Sequence, residues 1–339
     1  MACAFNEVMG NDFILISYGK PSSEGGFNHK QLSCGGNQWL RYFFVCTETL
    51  LKTFSNNKKV FFTRDIAVAA LVVMFGGSAV YEAHKQPIGL FPKAIFNLIS
   101  NSPRFRLVVI SNALANYYKE NFKIPNEQIL VAHDGAFPAE YEYLITKPKE
   151  ELRKELKLPL DRIIVMHTGS LYSGRGAEFF EHVVRCYKKI LFIQVGGRNS
   201  DITKWKCYYE NKKINNIIFV IHQDNRKVRE FQVAADLLFY MITKNTPTYW
   251  CCSPMKIFEY MASGTPILAA RIGSLIEVID DSNAFCFNPD SPNSINIELN
   301  NFLVNKEEAQ RRAEKARQKV YNLYTWHDRA KKIINFAYA

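Results

Sequence analysis

The feature that most constrains this chain is an alternation. Short, continuously apolar, β-rich runs recur along its whole length, separated by stretches of helical spacing. In the first half the runs are 13–18, 59–64, 78–83, 107–111 and 129–133. In the second half they are 162–169, 189–197, 216–222, 236–241, 265–270 and 284–288. Most are apolar without interruption, which is how strands covered on both faces of a parallel sheet read. Helical spacing fills 67–75, 113–122, 178–187, 225–234, 256–262 and 275–279. The expectation is an α/β chain with doubly wound sheets. At 339 residues it has room for two such domains.

The expected boundary lies in the charged, proline-bounded segment 146–161. This gives domains at 1–148 and 149–324, with a helix around 325–339 that packs back on the first. The N-terminus is irregular. Residues 1–9 have the apolar stripe of a helix (Ala2, Phe5, Val8, Met9), and Gly10 is a suitable stop. A Rossmann-like domain normally opens with a strand, so 13–18 would be its second strand and the first is missing. In the usual order the missing strand is central, and its neighbours would lose ladder partners at about 1–3 kcal/mol per buried group. That reading places the natural start roughly 20 residues upstream.

The longest apolar run, 66–75, is too short to cross a bilayer and reads as a buried helix. No basic stretch followed by an apolar one marks a signal peptide at the N-terminus. Eight cysteines without zinc-type spacing fit reduced thiols. The net charge is +11, of which +2 falls in residues 1–145 and +9 in residues 146–339. A basic second half suits phosphate ligands or an anionic membrane surface. No nucleic-acid-binding signature accompanies it.

Three segments could carry chemistry. In HTGSLYSGRGAEFF (167–180) a strand passes through a glycine-bearing loop into a helix, an arrangement that offers backbone amides to an anion. Arg175 stands between Gly174 and Gly176, where its guanidinium could reach a diphosphate. In SPMKIFEYMASGTPILAA (253–270) Ser253 is the expected N-cap, Pro254 opens a helix and Gly264 closes it. Glu259 lies mid-helix between Phe258 and Tyr260, so its carboxylate needs a partner. A ribose diol would supply two donors; an intrahelical salt bridge would also satisfy it. In ARIGSLIEVIDDSNAFCFNPDS (269–291) Gly273 and Ser274 precede a helix carrying Glu277, whose first amides could hold a phosphate. A plain loop and capped helix fits that segment equally well.

Taken together these blocks resemble glycosyltransferase family 4, the retaining family with the GT-B fold, and specifically a subgroup with an S-P-x-K pattern before F-E-Y-M-A-x-G. The resemblance extends to VFFTRD, YEAHKQP and LVVISNALANYYKENFKIPNEQILVAHDGA in the first half. It implies two Rossmann-like domains facing across a cleft, an acceptor-binding one and a nucleotide-sugar-binding one. It implies transfer of a sugar, hexosyltransferase fashion, from a UDP- or GDP-sugar to a saccharide or lipid-linked acceptor in surface polysaccharide synthesis. The protein would be cytoplasmic, in peripheral contact with the inner face of the plasma membrane and without nucleic-acid partners. Glu259 matches the second glutamate of the family's E-x7-E motif, the ribose ligand. The first falls at Cys251 and is absent. Ser170 replaces an arginine common in the family. Arg175 matches the residue that neutralises the diphosphate, and His84 the acceptor-domain histidine that faces the donor sugar on closure. Gly169, Ser170, Ser253, Lys256, Ser274 and Glu277 complete the implied donor site. No carboxylate pair is placed for a divalent cation, so metal-free catalysis without a cofactor is expected. Two alternatives stay open: a catalytically weak or inactive nucleotide-sugar-binding protein, given Cys251 and the missing first strand, and a GT-B nucleotide-sugar epimerase, which shares the fold but needs a carboxylate set around the sugar that is not found here.

Overall fold

The computed structural model describes residues 1–18, 28–32, 38–55, 59–170 and 177–339. The chain separates into two compact units. One is Met1–His133 with Trp326–Ala339; the other is Asp134–Thr325. Residues 134–148, expected in the first domain, therefore belong to the second unit.

The first unit runs α1 (Ala2–Met9), β1 (Ile14–Tyr18), β2 (Asn28–Leu32), α2 (Gln38–Ser55), β3 (Val60–Thr63), α3 (Ile66–Met74), β4 (Ser78–Ala83), α4 (Leu90–Ile99), β5 (Phe105–Val109), α5 (Asn112–Phe122) and β6 (Ile129–Val131). Strands β3, β4, β5 and β6 lie side by side in chain order, all parallel. β1 and β2 pair in parallel as a separate two-stranded sheet, and among the described residues no ladder joins it to β3. The helices begin where short polar side chains take up their first amides. Asp65 accepts from the amides of Ala67 and Val68 at the start of α3, and Ser111 from that of Leu114 at the start of α5. The core gathers Phe96, Phe105, Tyr118 and Phe122 in edge-on and tilted ring contacts.

The second unit runs α6 (Ala139–Thr146), α7 (Lys149–Glu155), β7 (Ile164–Thr168), α8 (Ala177–Cys186), β8 (Leu191–Val195), α9 (Asn199–Asn211), β9 (Ile217–Val220), α10 (Asn225–Ala234), β10 (Leu237–Tyr240), α11 (Met255–Ser263), β11 (Ile267–Ala270), β12 (Phe285–Phe287), α12 (Pro292–Val304) and α13 (Lys306–Leu323). A last helix, α14 (Trp326–Tyr338), returns to the first unit and packs on α1 and β5. The six strands of the second unit are parallel in the order β12-β11-β10-β7-β8-β9. The chain moves outward from β7 through β8 to β9, then returns to the other side of β7 at β10. This reversal opens a crevice at the carboxyl ends of β7 and β10, where open α/β sheets bind ligands. Strands β7, β8, β10, β11 and β12 are wholly buried and mainly apolar, and the polar exceptions His167, Thr168 and Gln194 near the carboxyl ends of β7 and β8 are hydrogen-bonded. At the opposite end Asp236 accepts from the Ile164 amide at 2.8 Å and pairs with the buried Arg153 at 2.6 Å, fixing β7 to α7.

Two local expectations change. The stretch 275–279 is not an α-helix; Gly273–Glu277 forms a 3-10 turn, because Leu275 and Val278 donate three residues back, to Ile272 and Leu275. Ser253 is not the N-cap of α11. Pro254 stands there, and the Ser253 hydroxyl instead accepts from the Asp134 amide at 2.8 Å. Gly264 closes α11 at φ 68°, as expected.

Candidate functional site

Strand β7 delivers Thr168, Gly169 and Ser170 to the crevice of the second unit. Gly169 leaves the strand at φ 146° with its amide donating to the Val195 carbonyl at 2.8 Å. Its own carbonyl accepts from Gln194 Nε2 at 2.8 Å. Gly196, at φ 97°, lies so close that a Cβ there would stand 3.0 Å from the Gly169 oxygen. The two strand ends thus approach by their backbones. Beside them opens a cavity of about 380 Å³ lined by Ser170, Gly197, Arg198, Asn199, Asp201 and His222, the residues that follow β7, β8 and β9. Ser170 is the sequence-predicted member of this lining. The others were missed, although Gly-Gly-Arg directly after an apolar strand was a readable sign of a backbone turn into a binding crevice.

Helix α11 brings Glu259 to the same strand end through a buried amide. Gln232, on α10, donates from Nε2 to Thr168 Oγ1 at 3.0 Å and to Glu259 Oε2 at 3.2 Å. Its Oε1 accepts from the Tyr141 hydroxyl at 2.6 Å. Burial first, then the Glu259 charge, pushes the Tyr141 hydroxyl well above its ordinary value, so it stays protonated and donates. On the other side the Thr168 amide donates to the buried Tyr260 hydroxyl at 2.8 Å. Gln232 and Tyr141 were also missed from sequence, since a lone Gln in an amphipathic helix gives no sign that it points inward. Lys256 completes the cluster with an ion pair to Glu259 Oε2 at 2.8 Å, three residues apart on α11. Oxygen Oε2 of Glu259 therefore receives both donors, and among the described residues Oε1 receives none. Both side chains stay half-buried and open to solvent.

The remaining predicted donor residues lie on the loops around α11. Ser274 is buried and its hydroxyl donates to the Cys252 carbonyl, which ties the 3-10 turn to the segment before α11. Gly273, at φ 54°, is pressed against the chain at Tyr249 and Trp250. Glu277 is half-buried beside Tyr324, whose hydroxyl is pushed up by burial and by the Glu277 charge. Cys251, at the position of the absent first glutamate, is wholly buried, and burial holds its thiol up at about 12. Arg175 and its flanking glycines lie outside the described residues.

His84 belongs to the first unit, at the carboxyl end of β4. Its Nε2 meets Glu82 Oε1 at 2.6 Å. Glu82 is wholly buried; Arg64 pairs with the same oxygen at 2.7 Å and Arg329 of α14 with Oε2 at 2.9 Å. Burial opposes the charge on Glu82, but the His84 hydrogen bond and the two guanidiniums outweigh it and hold the carboxyl down at about 2. An ionised carboxylate can only accept, so His84 carries a proton on the Nε2 that faces it. Glu82 sits in the YEAH motif, and its role was not singled out from sequence.

The description "Glycosyl transferases group 1" matches residues 148–319, just over half of the chain. The chain belongs to the glycosyl transferases group 1 family. An uncharacterized glycosyltransferase of Methanocaldococcus jannaschii is 22% identical over 239 residues, 68% of this chain and 59% of the relative. The lipopolysaccharide 1,2-N-acetylglucosaminetransferase of Salmonella typhimurium is 23% identical over 240 residues, 67% of this chain and 60% of the relative. The chain thus spans about three fifths of the length of these curated relatives. Among solved structures, a glycosyltransferase from Rickettsia africae ESF-5 superposes with a TM-score of 0.78 at 16% identity, covering 99% of this chain and 92% of that one. The Anabaena protein HepE, in complex with UDP and glucose, gives 0.70 at 15% identity, covering 91% and 85%. At such identities the likeness shows the fold, which is GT-B, with parallel sheets in two Rossmann-like domains. No helix among the described residues is long and apolar enough to cross a membrane.

Proposed function

We propose that this group 1 family chain is a retaining glycosyltransferase that moves a sugar from a UDP- or GDP-sugar to a saccharide or lipid-linked acceptor in glycan synthesis. The observation that carries the reading is the half-engaged carboxylate of Glu259. Gln232 and Lys256 hold one oxygen, and the other is left to accept from a ribose hydroxyl. Similarity to the Salmonella lipopolysaccharide 1,2-N-acetylglucosaminetransferase and to the Anabaena protein bound to UDP and glucose supports a nucleotide-sugar donor. In this proposal Arg175, the amides after Gly169 and Ser170, and those around Ser274 and Glu277 meet the diphosphate charge as the leaving group departs. Ser253 holds the approach to α11, and no metal or other cofactor takes part. His84 accepts from a hydroxyl of the donor sugar through Nδ1. The acceptor is met at a membrane surface by peripheral contact.

A thermal-shift screen of UDP, GDP and their sugars tests the donor assignment. A bound nucleotide at 100-fold over its dissociation constant adds about 2.7 kcal/mol. Glu259→Gln should weaken that nucleotide by roughly 10–100-fold, the loss of one charge-assisted hydrogen bond. If no nucleotide stabilises the wild type, the reading fails. The buried Cys251 favours one second reading, a nucleotide-sugar-binding protein with little turnover. Tight donor binding without release of nucleoside diphosphate, even with acceptor extracts, would select it.

A further inference from the structure

Helix α2 of the first unit is apolar on its outward side as well as on its inward one. On α2 the side chains turned inward include Thr49 and Thr53, both buried, while Leu40, Phe43, Phe44, Leu51 and Phe54 face out. Phe43, Leu51 and Phe54 are 62%, 67% and 65% exposed. An ordinary surface helix buries its apolar stripe and shows its polar side. The pattern continues across the helices beside it. Helix α3 packs between α2 and α4, and the Phe54 ring meets Phe75, just past the end of α3, at 5.7 Å. On α4 Leu90 and Phe91 are 88% and 74% exposed. Single exposed apolar residues are ordinary; a run of aromatic and aliphatic side chains over adjacent helices marks an interaction surface.

The charges around it indicate the partner. Residues 38–99 hold seven Lys and Arg against three Asp and Glu. All three acids are engaged: Glu48 with Lys30, Asp65 at the start of α3, and Glu82 inside its arginine pair. Lys85 and Lys93 stand exposed beside the apolar side chains of α4, and Arg41 lies on α2. A second copy docking about a twofold axis would bring two such cationic rims together. An anionic bilayer presents the opposite charge around an apolar interior.

We infer that the outward faces of α2 and α4, with Phe75 between them, form a membrane-docking surface that inserts Phe43, Phe44, Phe54, Leu90 and Phe91 at the headgroup boundary of an anionic bilayer. It deepens the peripheral contact proposed above by naming the face that makes it, and it does not depend on sugar transfer. The test is cosedimentation of the full chain with phosphatidylcholine vesicles, with and without phosphatidylglycerol. Binding is expected to the anionic vesicles alone and to weaken as salt is raised. Phe43→Ser and Phe54→Ser should each reduce partitioning about tenfold, the effect of withdrawing one large apolar side chain. Lys93→Glu should reduce it by about fivefold or more. All three positions are at the surface, and circular dichroism confirms that the variants fold. Equal binding to both vesicle types, or unchanged partitioning of the phenylalanine variants, overturns the inference. So does a lipid-free dimer that Phe43→Ser dissociates, which would assign the face to a second copy. Failure here leaves nucleotide binding by the second unit intact, so the two readings fall separately.

Discussion

Replacing Glu82 with glutamine perturbs the first unit at its most concentrated charge. The carboxyl is held at about 2 against an ordinary 4.5. Each unit of pKa difference is worth about 1.4 kcal/mol, so ionised Glu82 contributes about 3 kcal/mol to folding. The folded value lies below the unfolded one. The contribution is therefore complete above about pH 4.5 and is lost as the pH falls toward about 2. Glutamine removes it at every pH. It also leaves Arg329, whose side chain is 3% exposed, without its anion, and breaking a buried pair in this way costs about 3–5 kcal/mol. Hydrogen exchange at the β4 amides under increasing urea reads the local stability of this strand. The wild type should lose protection between about pH 4.5 and 2, and Glu82→Gln should be weak throughout and nearly flat with pH over that window. Pairing Glu82→Gln with Arg329→Met should restore part of the loss. A wild-type profile flat over that window, or single and double variants whose costs simply add, would refute the assignment of Glu82 as the buried anion of the unit.

Other consequences concern the second unit. Gly273→Ala would place a methyl 2.0 Å from the Tyr249 oxygen at a positive φ, so thermal unfolding should show a loss of at least about 3 kcal/mol or no soluble protein. Gly264→Ala meets nothing closer than the Arg317 Cδ at 3.6 Å and should cost only about 1 kcal/mol, the penalty for the left-handed conformation; equal losses would contradict the contact. Gln232→Leu strands the Tyr141 hydroxyl and should lower stability by about 1–3 kcal/mol even without nucleotide, as measured in urea. Cys251→Glu, which restores the motif glutamate in a wholly buried position, should destabilise by several kcal/mol rather than raise donor turnover; a stable, more active variant would show that the side chain finds an exit to the site.

Much of the fold was readable because its physics is local. The strands that are mainly apolar runs were found, since burial on both faces admits few polar positions. β2, with the sequence NHKQL, was not found, because a strand with so few apolar residues gives no periodic signal. The helix expected at 275–279 failed for the opposite reason. Its apolar spacing was right, but donors reaching three residues back closed it as a single turn. In the candidate site Glu259, Lys256, Gly169 and Ser170 could be placed from motif spacing. Gln232, Tyr141 and Arg198 could not. They reach the site from other strands and helices, and only the strand order brings α10 against α11 and the end of β8 against that of β7. Glu82 shows the same limit within four letters. The sequence placed His84 in YEAH, whereas one of the two guanidiniums that join His84 in stabilising the charge on its neighbour comes from the far end of the chain.

The amide of Gln232 gives the second unit a direction. Its oxygen is committed to a hydroxyl that donates, and its nitrogen to two oxygens that accept. Rotating the amide would set its oxygen against the Glu259 carboxylate, whereas the Tyr141 and Thr168 hydroxyls can each either donate or accept, so the carboxylate contact favours this orientation. Glu259 is then engaged at Oε2, and Oε1, to which no described residue donates, is left to accept. Whatever docks there must bring hydrogens. A diol satisfies that demand and a phosphate does not. On the donor reading proposed above, a nucleotide sugar would meet this carboxylate with its ribose diol rather than its diphosphate, and a ligand stripped of one ribose hydroxyl would be sensed as a missing proton.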